Sequence, residues 1–130
     1  MIKGFQIGKL GEKLLASIKN MPASKPTEDG ILHIAEIPYE TGEIKFRYSR
    51  KMSPDGTKWI RDGLFTHYHQ NGNYGSTGFY VDGLEEGHWE DYYENGVLAA
   101  EGEYSKGKEV GKWRFYGSDG ELQEEKDYGY

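Results

Sequence analysis

Residues 87–113 of the chain read GHWEDYYENGVLAAEGEYSKGKEVGKW, and this stretch contains slightly more than one period of an internal repeat. Gly87 and Trp89 recur 24 residues later as Gly111 and Trp113. Periods of about 20 to 50 residues are typical of repeat architectures. Further positions that keep the same register are Gly63, Phe65, Tyr68, Tyr92, Tyr116, Asn71-Gly72, Asn95-Gly96, Asp119-Gly120, Tyr80, Tyr104 and Tyr128.

The Asn-Gly and Asp-Gly pairs predict a β-hairpin in each repeat, since a type I′ turn needs positive φ at both central residues. A two-residue turn at Asn95-Gly96 places Trp89 opposite Gly102. We expect the aromatic ring to cover the glycine on the neighbouring strand. The same register predicts these further pairs: Gly87 with Tyr104, Asp91 with Ala100, Tyr93 with Leu98, Glu94 with Val97, Phe65 with Gly78, Gly63 with Tyr80, Gly111 with Tyr128 and Trp113 with Lys126.

Alternation along the strands separates an apolar, aromatic face from a charged face, because successive side chains point to opposite sides of a sheet. In the second hairpin the aromatic face is expected to be buried, and it holds Gly87, Trp89, Asp91, Tyr93, Leu98, Ala100, Gly102 and Tyr104. The other face is expected to be solvated and acidic, and it holds His88, Glu90, Tyr92, Glu94, Val97, Ala99, Glu101 and Glu103.

Upstream of the clear repeats the pattern weakens. Residues 42–62 predict a shortened, irregular hairpin with a turn at Pro54-Asp55-Gly56, and residues 31–37 a strand that Pro38 ends. We expect residues 1–30 to cap the sheet, since a terminal repeat leaves apolar surface uncovered. Contact between their lysines and a membrane surface is the alternative. The cap is predicted to be an amphipathic helix from one apolar stripe: Ile7, Leu10, Leu14, Leu15, Ile18 and Met21.

The predicted fold class is therefore all-β, a meander of β-hairpins with a 24-residue period that forms an elongated twisted sheet, plus a short N-terminal amphipathic α-helix. The hairpin repeat domain is predicted to span residues 31–130. Its clear repeats are 63–86, 87–110 and 111–130, and its degenerate repeat is 42–62.

Composition restricts the classes of function. The chain has 130 residues and no cysteine, which indicates one domain without disulfides, thiolate metal sites or thiol catalysis. Residues 81–130 carry 5 Lys and Arg against 14 Asp and Glu, which argues against nucleic acid or anionic lipid as the ligand. Such an acidic half permits a basic protein partner. The first residues match neither a signal peptide nor a membrane span, so we expect a cytoplasmic protein.

The repeat motif resembles a known family. The motif is Gly87-x-Trp89-x-x-Tyr92-Tyr93-x-Asn95-Gly96, followed by Glu101-Gly102-x-Tyr104-x-x-Gly107-Lys108-x-x-Gly111-x-Trp113. It is similar to the MORN-repeat variant of bacterial proteins classed as YwqK-like antitoxins, and the similarity covers about residues 56–130. The resemblance implies a meander of hairpins used for protein binding, with an antitoxin or immunity role. It identifies no catalytic residue.

Candidate chemical motifs have simpler explanations within the repeat. The segment 102–108 has most of a phosphate loop, but Glu109 stands where a Ser or Thr would hold magnesium. His67 and His69 leave the same face of one strand, and with Asp91 they form a conceivable metal site. We favour a histidine paired with a carboxylate for structural reasons, since no other residues show ligand spacing.

No serine or threonine lies in a nucleophile motif, and His33 and His88 stand outside any recognisable motif. We therefore predict no catalysis, no cofactor and no bound metal. A metal found in the purified protein would reopen the question of an enzyme.

The sequence predicts a non-catalytic protein-binding module, an antitoxin or immunity protein that neutralises a partner toxin by occluding a basic surface. Aromatic anchors surrounded by charge are a common interface design. The alternative is a structural scaffold that assembles with itself or with cell-envelope proteins through the aromatic face or an end strand. The predicted partner-binding residues are Glu90, Tyr92, Glu94, Glu101, Glu103 and Tyr116.

Overall fold

The computed structural model describes residues 33–130, and these form one antiparallel sheet. Its eight strands pair in chain order, each with the next along the chain. The strands are β1 (His33–Pro38), β2 (Ile44–Met52), β3 (Trp59–Tyr68), β4 (Tyr74–Val81), β5 (Leu84–Tyr92), β6 (Leu98–Ser105), β7 (Lys108–Tyr116) and β8 (Leu122–Asp127). The predicted all-β meander is confirmed for this part of the chain, whereas the predicted N-terminal helix lies outside the described residues.

The register of the clear hairpins is as predicted except beside their turns. Trp89 pairs with Gly102, and the equivalent pairs of the first and third hairpins are also present. Tyr92, rather than Tyr93, pairs with Leu98. The predicted pairs Tyr93 with Leu98 and Glu94 with Val97 are therefore wrong.

The turns at the Asn-Gly pairs differ from the predicted type I′ geometry. The Gly96 N–H donates to the Tyr93 carbonyl across 2.9 Å, and Gly96 has a φ of +86° whereas Asn95 does not have positive φ. This geometry is a type I turn followed by a glycine in the left-handed region. Ala99 is an extra residue on β6, because the register shifts between Asp91 and Tyr92. This bulge offsets the wider turn by one residue, so the pairs farther from the turn keep the predicted register.

Two-residue turns of the type I′ kind instead join one hairpin to the next. Asp82 and Gly83 have φ of 50° and 84°, and Lys106 and Gly107 have φ of 49° and 81°. Both residues of each turn therefore have the positive φ that this turn type requires. The tight turns lie between repeats, at the end of the sheet opposite the Asn-Gly turns.

The first two hairpins are less regular. The Gly42 N–H donates to the Tyr39 carbonyl across 2.9 Å, which is the bond that Gly96 makes to Tyr93. Strands β2 and β3 are joined by residues 53–58, including the predicted Pro54-Asp55-Gly56 turn. This longer connection stands where the later repeats have a two-residue turn.

The core is a row of aromatic rings on one face of the sheet, the ring face. Phe65, Trp89 and Trp113 are its buried members, and Tyr80 and Tyr104 lie between them. Successive ring centroids along this row are 5.3, 5.3, 5.8 and 5.0 Å apart, and all four contacts are tilted edge to face. Such contacts stabilise aromatic pairs beyond their burial. Burial in this row raises the pKa of Tyr104 to about 12.

Each tryptophan lies over a glycine of the preceding hairpin. A Cβ at Gly78 would overlap the Trp89 ring, and the Trp89 Nε1–H donates to the Phe79 carbonyl across 3.2 Å. The expectation that Trp89 covers its own partner Gly102 is therefore wrong. The ring leans the other way across the sheet, so it joins two hairpins instead of reinforcing one.

The Asn-Gly turns are also bonded to one another. Asn95 Oδ1 accepts the Val97 N–H at 3.0 Å, while its Nδ2 donates to the Ser118 carbonyl of the next turn at 3.2 Å. Asn71 Nδ2 likewise donates to the Glu94 carbonyl at 2.7 Å. The side chain of the first residue of each turn makes a second bond to the next hairpin. These bonds join Tyr39 to the Tyr68 carbonyl, His69 to the Tyr92 carbonyl and Tyr93 to the Tyr116 carbonyl, each at 2.7 Å.

Replacing Gly102 with Val should destabilise the sheet, because the new side chain would overlap the Trp113 ring. We expect a loss of about 1–3 kcal/mol in the free energy of unfolding, measured by urea denaturation. Ser105→Val is the matched control, since Ser105 is an exposed residue of the same strand. Equal stability of the two variants would contradict the ring-over-glycine packing.

Replacing Asn95 with Asp should remove the amide donor to the Ser118 carbonyl while keeping the oxygen that accepts the Val97 N–H. The expected cost is about 0.5–1.5 kcal/mol, the net value of one such hydrogen bond. Asp119→Asn is the reciprocal control, because the described chain has no later Asn-Gly type turn for its amide to reach. Thermal melts of both variants test this, and equal shifts would refute a role for the turn-to-turn bond.

Candidate protein-binding face

Opposite the ring face, the middle repeat places three carboxylates on two neighbouring strands. Glu90 of β5 pairs directly with Glu101 of β6, and His88 pairs with Glu103 one step along the same strands. Like charges directly opposite each other destabilise a sheet. The Glu90–Glu101 pair therefore needs a compensating group.

His88 supplies that compensation. Its Nε2 lies 3.6 Å from a Glu90 oxygen and 3.8 Å from a Glu101 oxygen, and its Nδ1 lies 3.4 Å from a Glu103 oxygen. The nearby Glu90 carboxylate is the main cause that raises the pKa of His88, and the charges of Glu103 and Glu101 raise it further against the opposing effect of burial. The protonated imidazole is thus favoured at the centre of this acidic cluster.

The central role of His88 was missed from the sequence, although the signal was there. The predicted hairpin register already placed His88 opposite Glu103, and strand alternation placed it beside Glu90 on one face. A histidine among three glutamates on adjacent strands is a recognisable charge pattern. It was overlooked because His88 belongs to no local motif.

Two tyrosines complete the network. Tyr92 donates its hydroxyl to Glu90 Oε2 and Tyr116 donates to Glu101 Oε2, both at 2.7 Å. Burial, together with the bond to Glu90, raises the pKa of Tyr92, and the bond to Glu101 raises the pKa of Tyr116. Both hydroxyls therefore remain donors at neutral pH. We call these tyrosines, with His88 and its three carboxylates, the acidic cluster.

The structure thus brings together five of the six predicted partner-binding residues, and the sixth, Glu94, lies in a turn. The expectation that this whole face is solvated is wrong, since Glu90 and Tyr92 are only 6% and 7% exposed. Glu90 lies between Thr77 and Glu101 on the neighbouring strands, and Tyr92 covers it through their hydrogen bond. Alternation identifies the face of a residue but not how far its neighbours cover it.

The accessible carboxylates are accordingly a subset of the predicted ones. The side chain of Glu103 is 46% exposed and that of Glu101 is 25% exposed. Glu94 is also exposed. Glu103 and Glu94 are thus the accessible carboxylates of the predicted set, while Glu90 is buried.

The histidines of β3 do not form the predicted carboxylate pair. Ser76 lies between His67 and Asp91 in the register, and its hydroxyl donates to Asp91 Oδ1 at 2.7 Å. Burial lowers the pKa of His67, and the neighbouring His69 and Lys45 lower it further. Within residues 33–130, no three His, Asp or Glu side chains come together in an arrangement that could hold a metal ion.

A single sheet of tandem hairpins with one face of rings over glycines defines a hairpin-repeat protein. The sequence profile of the MORN repeat variant matches residues 61–82, 85–106 and 109–129, which together are half of the chain. The chain belongs to this family, and MORN repeats are often protein-binding modules. No curated protein and no solved structure is significantly similar to the chain. Residues 33–130 contain no helix of the length and apolarity that crossing a membrane requires.

An NMR titration of the histidine rings should show opposite shifts for two of them. His88 should titrate above the ordinary histidine pKa of about 6.5 and His67 below it. Because the folded pKa of His88 is raised, its stabilising contribution is present below the unfolded pKa and is lost as pH rises through the folded value. For His67 the pKa is lowered, so its protonation at acidic pH destabilises the fold.

Glu103→Gln should lower the pKa of His88, since the substitution removes one of the three carboxylates around the imidazole. Glu125→Gln is the matched control, because Glu125 pairs with Lys112 and Arg114 instead. If both variants left the His88 titration unchanged, the claim that the Glu103 carboxylate raises the pKa of His88 would be contradicted.

Proposed function

We propose that this chain is a non-catalytic protein-binding module whose acidic cluster binds a basic surface of a partner protein. The observation that carries the proposal is the charge imbalance of the middle repeat. There, His88 faces three carboxylates, and even when protonated it leaves an excess of negative charge. A basic partner side chain near Glu103 would reduce that excess.

The third repeat provides a contrast on the same face. Lys112 lies 3.7 Å and Arg114 lies 3.1 Å from the two oxygens of Glu125. Asp127 is the cross-strand partner of Lys112, so two cations and two carboxylates balance their charges within the chain. Exposed pairs of this kind contribute little to stability, and they offer no net field to a partner. The middle repeat is therefore the better place for a basic partner.

We further propose that the partner is a toxin and that this chain acts as its antitoxin or immunity protein in the cytoplasm. Carboxylates around a tyrosine network can occupy the sites where a nuclease holds the phosphate backbone of its substrate. Such binding blocks the substrate without any reaction by this chain. Excess negative charge also speeds encounter with a basic surface.

A structural scaffold is the second candidate, and the open sheet edges favour it. Strands β1 and β8 each pair on one side only within the described residues, and Ile34 and Leu122 on them are 56% and 54% exposed. Unpaired edges can recruit another strand, from a second copy or from a cell-envelope protein. However, β8 carries four charged residues in succession, at 124–127, and charges discourage edge pairing. A concentration-dependent increase in mass by sedimentation would support the scaffold.

Reversing the two exposed carboxylates among the predicted partner-binding residues tests the binding proposal. Glu94→Lys with Glu103→Lys should slow association with the partner about tenfold or more at low salt, since it removes the steering charge. Glu109→Lys with Glu124→Lys is the matched control, because these exposed residues pair with Tyr104 and Phe115 of the ring face. Both double variants change the net charge equally.

The partner is to be recovered from an extract of the native host with the parent chain and both double variants as bait. A basic protein held by the parent and the control, but released by the Glu94 and Glu103 variant, is the expected result. Co-expression should then protect cells from that protein in the same order. The proposal fails if the two double variants capture and protect equally.

A further inference from the structure

We propose that the partner of this face is a basic amphipathic helix, which places apolar side chains on a patch beside the acidic cluster. The apolar patch consists of Leu64, Phe79, Val81 and Leu84. This inference rests on the proposed function, because it takes the acidic cluster as one half of the same interface.

The apolar patch lies on the same face as the acidic cluster. Leu64 pairs with Phe79, and Val81 pairs with Leu84. Phe79 is 5% exposed, whereas Leu64 and Leu84 on either side are 37% and 46% exposed. Glu86 is the partner of Phe79 on β5, so the exposed apolar area comes from the two leucines. These leucines can bury further apolar area on contact. Burial of an apolar side chain is the main source of affinity in such contacts.

The repeat itself shows that the fold does not require Leu64. The equivalent positions in the second and third repeats hold His88 and Lys112. Phe79 is likewise replaced by Glu103 and Asp127. The same backbone therefore accepts charged residues here, and the ring face provides the core in every repeat. An exposed leucine at a position where the fold tolerates lysine is better explained by a contact outside residues 33–130.

The two halves of the interface are continuous along β5. Leu84 and His88 are four residues apart on that strand, which is at most about 13 Å, because Gly87 with its φ of 73° and a register shift against β4 lie between Glu86 and Glu90. Two turns of an α-helix span about 11 Å. A helix with a leucine at one position and a lysine or arginine two turns later would thus meet the patch and Glu103 together. Amphipathic helices commonly bind in this way.

Charge decides which amphipathic occupant fits. Glu103 and Glu101 would repel an anionic lipid surface, which argues against a membrane as the occupant. They would attract the basic residues of a helix. We therefore assign the face to a protein helix and not to a membrane.

A synthetic helical peptide of leucine and lysine, 18 residues long with one apolar stripe, is the probe. Its affinity for the full chain is measured by fluorescence anisotropy beside a peptide of the same composition in scrambled order. We expect the striped peptide to bind about tenfold more tightly, since both peptides carry the same charge and only one presents leucines together.

Leu64→Ser should weaken binding of the striped peptide about tenfold and leave the scrambled peptide unchanged. Ile34→Ser is the matched control, because Ile34 is 56% exposed on the edge strand β1 and lies outside both the patch and the acidic cluster. Leu84→Ser is a second variant. Circular dichroism checks that each variant is folded, which is expected for exposed positions.

Equal binding of the two peptides, equal effects of Leu64→Ser and Ile34→Ser, or no binding of either peptide would overturn the helix assignment. Glu103→Lys separates this failure from failure of the proposed function. If Glu103→Lys weakens both peptides while Leu64→Ser weakens neither, the acidic cluster binds basic partners without the apolar patch. If Glu103→Lys has no effect on either peptide, the proposed function itself is wrong.

Discussion

The packing of a tryptophan ring over a glycine of the neighbouring hairpin is the contact on which the rest of this structure depends. Residues 33–130 form one sheet, and within them the apolar face is covered by its own side chains. Trp89 does this by lying across β4, where Gly78 leaves room for the ring and the Phe79 carbonyl accepts the indole N–H. Because the ring joins one hairpin to the previous one, the packing has to repeat every 24 residues, as it does at Trp113 over Gly102.

This constraint explains why much of the fold could be predicted from the sequence and why some of it could not. The spacing of Trp89, Gly102 and Trp113 reflects a contact that recurs with the repeat. The repeat period and the pairing of residues far from the turns therefore follow from the sequence. The turn type does not follow, because Asn95-Gly96 suits a type I′ turn and also a type I turn with glycine after it. The bulge at Ala99 compensates for the difference in turn type. Trp89 therefore pairs with Gly102 as predicted, although the predicted turn type is wrong.

The candidate site was predictable in position but not in accessibility. Strand alternation placed Glu90 and Glu103 on one face, and the structure brings them together around His88. The pattern treats them alike, yet Glu90 is buried and Glu103 is half exposed, because Tyr92 covers Glu90 and not Glu103. Cover of this kind depends on the side chains of three strands at once, which no single hairpin pattern contains.

The two faces of the sheet are under different constraints, and this difference is where function can enter. On the ring face, equivalent positions keep the same kind of residue, since Phe65, Trp89 and Trp113 all have to fill the same space. On the other face, equivalent positions differ in charge from repeat to repeat, as Leu64 and His88 do. A repeat protein can change those residues without disturbing its core. The middle repeat, where carboxylates outnumber the one histidine they surround, therefore departs from its neighbours in chemistry while sharing their backbone, which is what a binding surface built on a common scaffold requires.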